Sequence, residues 1–146
     1  DLRCFYKKYG LEFTKPRGSI VTNSQGKHFQ RIRIQNYQTE ETPYLLKPGE
    51  YFLELSIYDH AEGQFLTEPC EMVFADENGP RETFTVRAGE VDVVRGTTPG
   101  GGERWPRQAL CRQGELANIF MAVGERQDES PSIAQAILDS VTLSKE

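Results

Sequence analysis

The sequence predicts an α+β fold: a twisted antiparallel β-sheet of about seven strands with a C-terminal helix packed on one face. Three observations lead there. Residues 50–58 alternate with a period of two, Tyr51, Leu53, Leu55 and Ile57 pointing one way and Phe52, Glu54, Ser56 and Tyr58 the other. Short apolar runs separated by turn residues fill the first three quarters of the chain. Near the end, Ile133, Ile137 and Val141 recur every four residues, with Ala134 and Leu138 beside them. A pure sandwich would leave that helical stripe without a partner, so a sheet covered by a helix is favoured.

Taken in order, Cys4 to Tyr9 and Leu11 to Thr14 read as a strand or a hairpin broken at Gly10, and Asn23-Ser24-Gln25-Gly26 as a polar turn. Phe29 to Tyr37 alternates, with Ile32 and Ile34 facing in and Arg31 and Arg33 out. Lys47-Pro48-Gly49 is the turn before the strand at 50–58. Residues 61–69 stay open between a loop and a short helix. Residues 70–76 and 83–87 flank Asn78-Gly79, a strong hairpin signal, and Ala88-Gly89 turns the chain into Val91 to Arg95. Residues 96–106 hold four glycines and two prolines, which predicts a long loop. Arg107 to Cys111 and Glu115 to Val123 form a last hairpin. Ser130 as N-cap and Pro131 at the first helical position predict a helix over 131–142.

Composition sets the outer bounds. The chain has 146 residues, which fits a single domain over 1–146 that can bury a core without help from a metal or a disulfide. Its 22 acidic and 17 basic side chains give a net charge of −5, which disfavours nucleic acid and anionic membrane as partners. Its longest apolar run, Ile119 to Val123, falls far short of the roughly 20 residues a transmembrane helix needs.

Three cysteines, Cys4, Cys70 and Cys111, contain no CxxC pair, which excludes a zinc ribbon or a thioredoxin-type site. They fit three buried thiols in a cytosolic protein, or one disulfide and one free thiol in an exported one. In the second case the pair is Cys70 with Cys111, since both lie in strand-like runs. The chain opens on Asp1 rather than Met, so a preceding segment was removed, either a signal peptide or an expression segment. The location expected is periplasmic or secreted, lipid-anchored if the removed N-terminus carried an anchor.

Arg107-Gln-Ala-Leu-Cys111, Leu116-Ala-Asn-Ile-Phe-Met-Ala-Val123 and Ser130-Pro-Ser-Ile-Ala-Gln-Ala-Ile-Leu-Asp-Ser-Val141 together resemble the end of PsbP/DcrB-like domains, over under a third of the chain. The resemblance implies a twisted antiparallel sheet with helices packed on it and a role in binding rather than catalysis. Periplasmic immunity proteins that neutralise type VI secretion effectors have related folds.

No GxSxG, HExxH or Walker A pattern occurs, and Gly100-Gly101-Gly102 lacks the Lys-Ser/Thr of a phosphate loop. His28 and His60 have no compact ligand spacing and read as solvent-exposed, so neither a metal nor another cofactor is expected. The glycine-rich loop is either a plain connector or a binding loop. For the second reading, Arg104 and Trp105 sit at its tip, residue types enriched at interface hot spots, and Gly101 and Glu103 are expected to bind with them. The turn carboxylates Glu41, Asp59 and Glu62 serve solubility, or steer a basic partner.

The function expected is therefore not enzymatic: an immunity-type inhibitor that occludes the active site of a cognate, basic effector enzyme through the loop Thr97 to Trp105. The alternative is a non-catalytic accessory subunit of an envelope or membrane-associated assembly.

Overall fold

The computed structural model describes residues 2–38, 45–60, 70–75, 77, 79, 81–98, 107–126 and 132–146, and among them ten strands form two antiparallel sheets. The smaller has β1 (Leu2–Tyr6), β2 (Leu11–Lys15) and β10 (Thr142–Leu143) in the order β1-β2-β10. The larger contains β3 (Ile20–Gln25), β4 (Phe29–Gln35), β5 (Tyr51–Asp59), β6 (Thr83–Ala88), β7 (Val91–Thr98), β8 (Arg107–Gln113) and β9 (Ala117–Glu125). Its strand order is β3-β4-β5-β9-β8-β7-β6. A short helix α1 (Cys70–Val73), a helix α2 (Ile133–Asp139) and a 3-10 turn at Lys7–Tyr9 complete the described elements.

The period of two in β5 decides the layering. Tyr51, Leu53, Leu55 and Ile57 are all at most 1% exposed and face one main core with Ile32 and Ile34 of β4 and Ile119, Met121 and Val123 of β9. Leu11 and Phe13 of β2, Leu143 of β10, and Ala134, Ile137 and Leu138 of α2 close that core from the other side. The small sheet and α2 thus cover one face of the large sheet, as an apolar sheet face requires. The opposite face carries two smaller clusters. Phe52 of β5 packs with Tyr37 and Leu46, and Cys70 and Phe74 at α1 pack on Ala109 and Cys111 of β8 and Ala122 of β9. Coverage on both faces is why the outward phase of residues 50–58 carries an apolar Phe52.

The seven-stranded antiparallel sheet and its C-terminal helix follow the expected class, but several elements differ from expectation. Of the expected strand 70–76, the described residues 70–75 form no strand: 70–73 are helical, because Cys70 and Phe74, four apart, both bury against β8. Among the described residues no strand pairs with β6 across Asn78-Gly79, and β6 ends the strand order beside β7. Asn23 to Gln25 belong to β3 and pair with β4, so the turn falls at Gly26, whose N–H donates to the Phe29 carbonyl at 2.9 Å. Gly96 to Thr98 are the end of β7 rather than loop. A side chain at Gly96 would press its Cβ to 3.1 Å from the Phe74 ring, so this glycine serves close packing inside a strand.

Helix α2 is shorter than 131–142. Its N-cap is Ser132, not Ser130: the Ser132 side chain accepts the Gln135 N–H, a Ser-x-x-Gln start. The nearly buried Glu125 carboxylate accepts the Ile133 N–H at 2.7 Å and the Ser132 hydroxyl, which fixes the capping serine. At the other end the Ser140 hydroxyl donates to the Ile137 carbonyl and accepts the Thr14 N–H at 2.8 Å, so the chain leaves the helix before Val141. Val141 is still buried, and the residues after it pair with β2.

Beyond β10, the side chain of Glu146 reaches the β8–β9 turn. Its carboxylate accepts the N–H groups of Glu115, Leu116 and Ala117 at 2.7, 2.8 and 3.2 Å, and it lies 3.6 Å from the Arg112 guanidinium. Burial pushes the Glu146 carboxyl up, but the three N–H donors and Arg112 outweigh it, and the group sits below its ordinary value of 4.5. A carboxyl lowered by folding stabilises the fold fully above its unfolded pKa, and that contribution disappears as pH falls through the folded one. Glu146→Gln should therefore make the urea midpoint less sensitive to acid than in the wild type below about pH 5, with the two curves running parallel above it. A wild-type curve no steeper than the variant's below pH 5 would contradict this.

Candidate functional site

The loop expected to bind, Thr97 to Trp105, begins inside β7; the connection between β7 and β8 is residues 99–106, and the residues that flank it, Thr98 and Arg107, are directly paired in the ladder. Both ends of the eight-residue connection are thus held side by side on the sheet. Thr98 is 6% exposed, so the departure point is packed rather than frayed.

The re-entry point is anchored on the outer sheet face, because Arg107, Glu54 and Arg33 share that face on neighbouring parts of β8, β5 and β4. Arg107 reaches one Glu54 oxygen at 3.1 Å and Arg33 bonds the other. Each guanidinium also lies over the Phe52 ring, Arg33 at 4.2 Å and Arg107 at 4.9 Å from its centroid, a cation–π geometry. Arg33 further donates to the Tyr37 hydroxyl at 3.2 Å and to the Gln35 side chain at 2.9 Å. Both Glu54 oxygens accept hydrogen bonds from guanidiniums, so this carboxylate acts as a structural bridge. Such charge-assisted, partly buried pairs fix side-chain position. The base of the connection is consequently a rigid mount.

A second feature gathers around Asp59. A groove of about 530 Å³ runs between the 3-10 turn of the small sheet and the β3–β4 turn of the large one, lined by Tyr9, Lys7, Lys8, Lys27, His28 and Asp59 among others. Asp59 closes β5 and pairs with Lys8 at 3.4 Å. The Asp59 N–H donates to the His28 carbonyl at 2.8 Å, which holds the β3–β4 turn against β5. Both histidines are half-buried rather than solvent-exposed. His28 Nε2 is buried and has no hydrogen-bond partner among the described residues, while His60 Nε2 lies 3.0 Å from Asn118 Oδ1. Among the described residues, no three of His, Cys, Asp and Glu group as metal ligands.

Of the residues expected to bind a partner, Gly101, Glu103, Arg104, Trp105, Glu41 and Glu62 lie outside the described residues, as do residues 61–69. Thr97 lies within β7, and Asp59 faces the groove. Cys70 and Cys111 are joined by a disulfide, although Cys70 opens a helix instead of a strand, and Cys4 is free. Burial pushes the Cys4 thiol up, against the pull of Lys15 and Arg3. The Arg33–Glu54–Arg107 bridge was not anticipated. Its one readable signal is that Arg33 and Glu54 are outward residues of two strands that pair.

Comparison with family models, with curated proteins and with solved structures finds no match to this chain. Among the described residues no helix is long and apolar enough to cross a membrane.

Proposed function

We propose that this chain is a non-catalytic binding protein: an immunity-type inhibitor that presents the connection 99–106 to the active-site cleft of an effector enzyme. The observation that carries this reading is the Thr98–Arg107 pair, which fixes both ends of a connection containing Arg104 and Trp105. A binding loop on a rigid support loses less conformational freedom on association, and this preorganisation raises affinity. The Arg33–Glu54–Arg107 bridge and the nearby disulfide supply the support. The disulfide also favours an oxidising compartment, the periplasm or outside the cell, where an inhibitor of secreted effectors would act. Carboxylates such as that of Asp59 at the end of β5, and a net charge of −5, favour fast capture of a basic enzyme.

Trp105→Ala tests the reading directly. If Trp105 fills a pocket in the partner, the substitution should weaken the complex by at least about 2 kcal/mol, roughly thirtyfold in Kd by titration calorimetry. Asp59→Asn should slow association and leave the dissociation rate nearly unchanged. Unaltered affinity for Trp105→Ala would remove the connection from the interface. The second reading, an accessory subunit of an envelope assembly, draws on the edge strand β3, whose six residues are all solvent-exposed and, among the described residues, pair with β4 alone. Such an edge offers backbone groups to another strand.

A further inference from the structure

The β8–β9 turn holds an anion in a way that its sequence does not advertise. Three successive N–H groups, of Glu115, Leu116 and Ala117, converge on one carboxylate, an arrangement that forms an anion-binding concavity wherever it occurs. Arg112 stands beside them, 8% exposed, and adds a full positive charge where solvent screens little. At Gly114 an added Cβ would come within 2.6 Å of the Glu146 carboxylate and 2.7 Å of the Ala117 carbonyl, so the carboxylate approaches as closely as it does because that residue lacks a side chain.

The turn is shaped by groups other than its occupant. The Gly114 N–H donates to Asn118 Oδ1 at 3.1 Å, and the same oxygen is held 3.0 Å from His60 Nε2. The His60 N–H donates to the Leu116 carbonyl at 2.9 Å. None of these bonds involves Glu146, so the turn has supports of its own. By contrast, the segment carrying Glu146 is exposed from Ser144 onward, with backbone bonds from Ser144 to the Gly10 carbonyl at 3.1 Å and from Lys145 to the Glu90 carboxylate at 3.3 Å. Leu143 is 2% exposed whereas Ser144, Lys145 and Glu146 are all exposed, so lifting these three residues uncovers little apolar surface. A cavity of about 330 Å³ adjoins the turn, lined by Lys7, Lys8, Arg112 and Glu146 together with Phe5 and Leu116, which are 57% and 66% exposed. That volume suits a small acidic ligand.

We propose that Arg112 and the N–H groups of Glu115, Leu116 and Ala117 form a carboxylate-binding site, which Glu146 occupies in cis and an acidic ligand occupies when the segment from Ser144 to Glu146 lifts. The ligand class is a carboxylate joined to an apolar body, the carboxylate seated in the turn and the body against Phe5 and Leu116. This site is separate from the connection 99–106 and does not depend on the inhibitor reading.

The test is an amide-resolved NMR titration of the full chain with sodium acetate at neutral pH, against sodium chloride at matched ionic strength. In Glu146→Ala, acetate should produce saturable shifts at the Glu115, Leu116 and Ala117 amides, with an affinity at least tenfold tighter than in the wild type, where Glu146 competes. Glu146→Gln, which keeps the side-chain length and one acceptor oxygen, gives the same order if the alanine variant does not fold. Adding Arg112→Lys should weaken the acetate response. Absence of saturable shifts in both Glu146 variants, an equal response in the wild type, or identical shifts with chloride would each overturn the proposal.

Discussion

Replacing Cys70 and Cys111 together by alanine should lower the unfolding free energy by roughly 4 kcal/mol, the chain-entropy value for a bridge that closes about forty residues. The two cysteines are 41 positions apart, and the bond ties α1 to the middle of β8. A helix of four residues has no stability of its own in water. Its place on the sheet rests on Cys70 and Phe74, 3% and 0% exposed, packed on Ala109, Cys111 and Ala122. Loss of the bond should therefore release α1 first, while the main core on the opposite sheet face persists. Urea unfolding with and without reductant reads the total loss, and amide hydrogen exchange reads where it falls. Equal midpoints in the two conditions, or exchange that rises in β4 and β5 as much as around β8, would contradict this account.

Phe13→Ala should cost about 3–5 kcal/mol, a range typical of large aromatic truncations in a core. Phe13 is 0% exposed in β2, the central strand of the small sheet, and its ring lies parallel to that of Tyr6, 6.2 Å away. It belongs to the same core cluster as Leu53 and Leu55 of β5 and as Ile137 and Leu138 of α2, so it helps to join the small sheet, the large sheet and the helix. The space it leaves would be bordered by elements that are themselves fixed on two sides, which limits collapse and puts the cost toward the upper end of the range. Phe84→Ala on the edge strand β6, where the ring is 56% exposed, should change stability by less than about 0.5 kcal/mol. Similar losses for the two variants would mean that the small sheet is not part of the main core.

How far the sequence reaches depends on whether the deciding contact is local. The strands β4, β5, β8 and β9 are readable because their inward residues repeat every second position over a buried face, and a slip of one residue would turn all of them away from the main core. Helix α2 is readable from its stripe, but Ser130 and Ser132 are equally good caps in isolation. Only Glu125, seven residues upstream, selects Ser132. Strand β10 is two residues long and pairs with β2 about 130 residues earlier, so no window of the sequence contains the information that makes it a strand. Residues 70–76 mislead because Val73, Phe74 and Ala75 have strand-like composition, whereas the helical spacing of Cys70 and Phe74 is what the tertiary contact uses. Gly96 reads as loop for a similar reason: its missing side chain makes room for Phe74, a residue far from it in sequence.

The candidate site shows the same division. A glycine-rich connection with Arg104 and Trp105 is visible in the sequence, whereas Asp59, which reads as a turn carboxylate, is the last residue of β5. The paired strand ends beneath the connection, the Arg33–Glu54–Arg107 bridge and the pairing of Asp59 with Lys8 arise from strand order, which no single segment encodes. The anion-holding turn at 115–117 is illegible for a further reason, since its donors are backbone N–H groups that any residue but proline supplies.

The inhibitor reading is tested most directly by capture from the native lysate on the tagged protein, in parallel with its Trp105→Ala variant, followed by an activity assay on whatever the intact chain retains. The account predicts one stoichiometric enzyme on the wild-type chain, inhibited by adding that chain and largely absent from the variant. Retention of envelope structural proteins alone, or of an enzyme whose activity is unaffected by the chain, would contradict it.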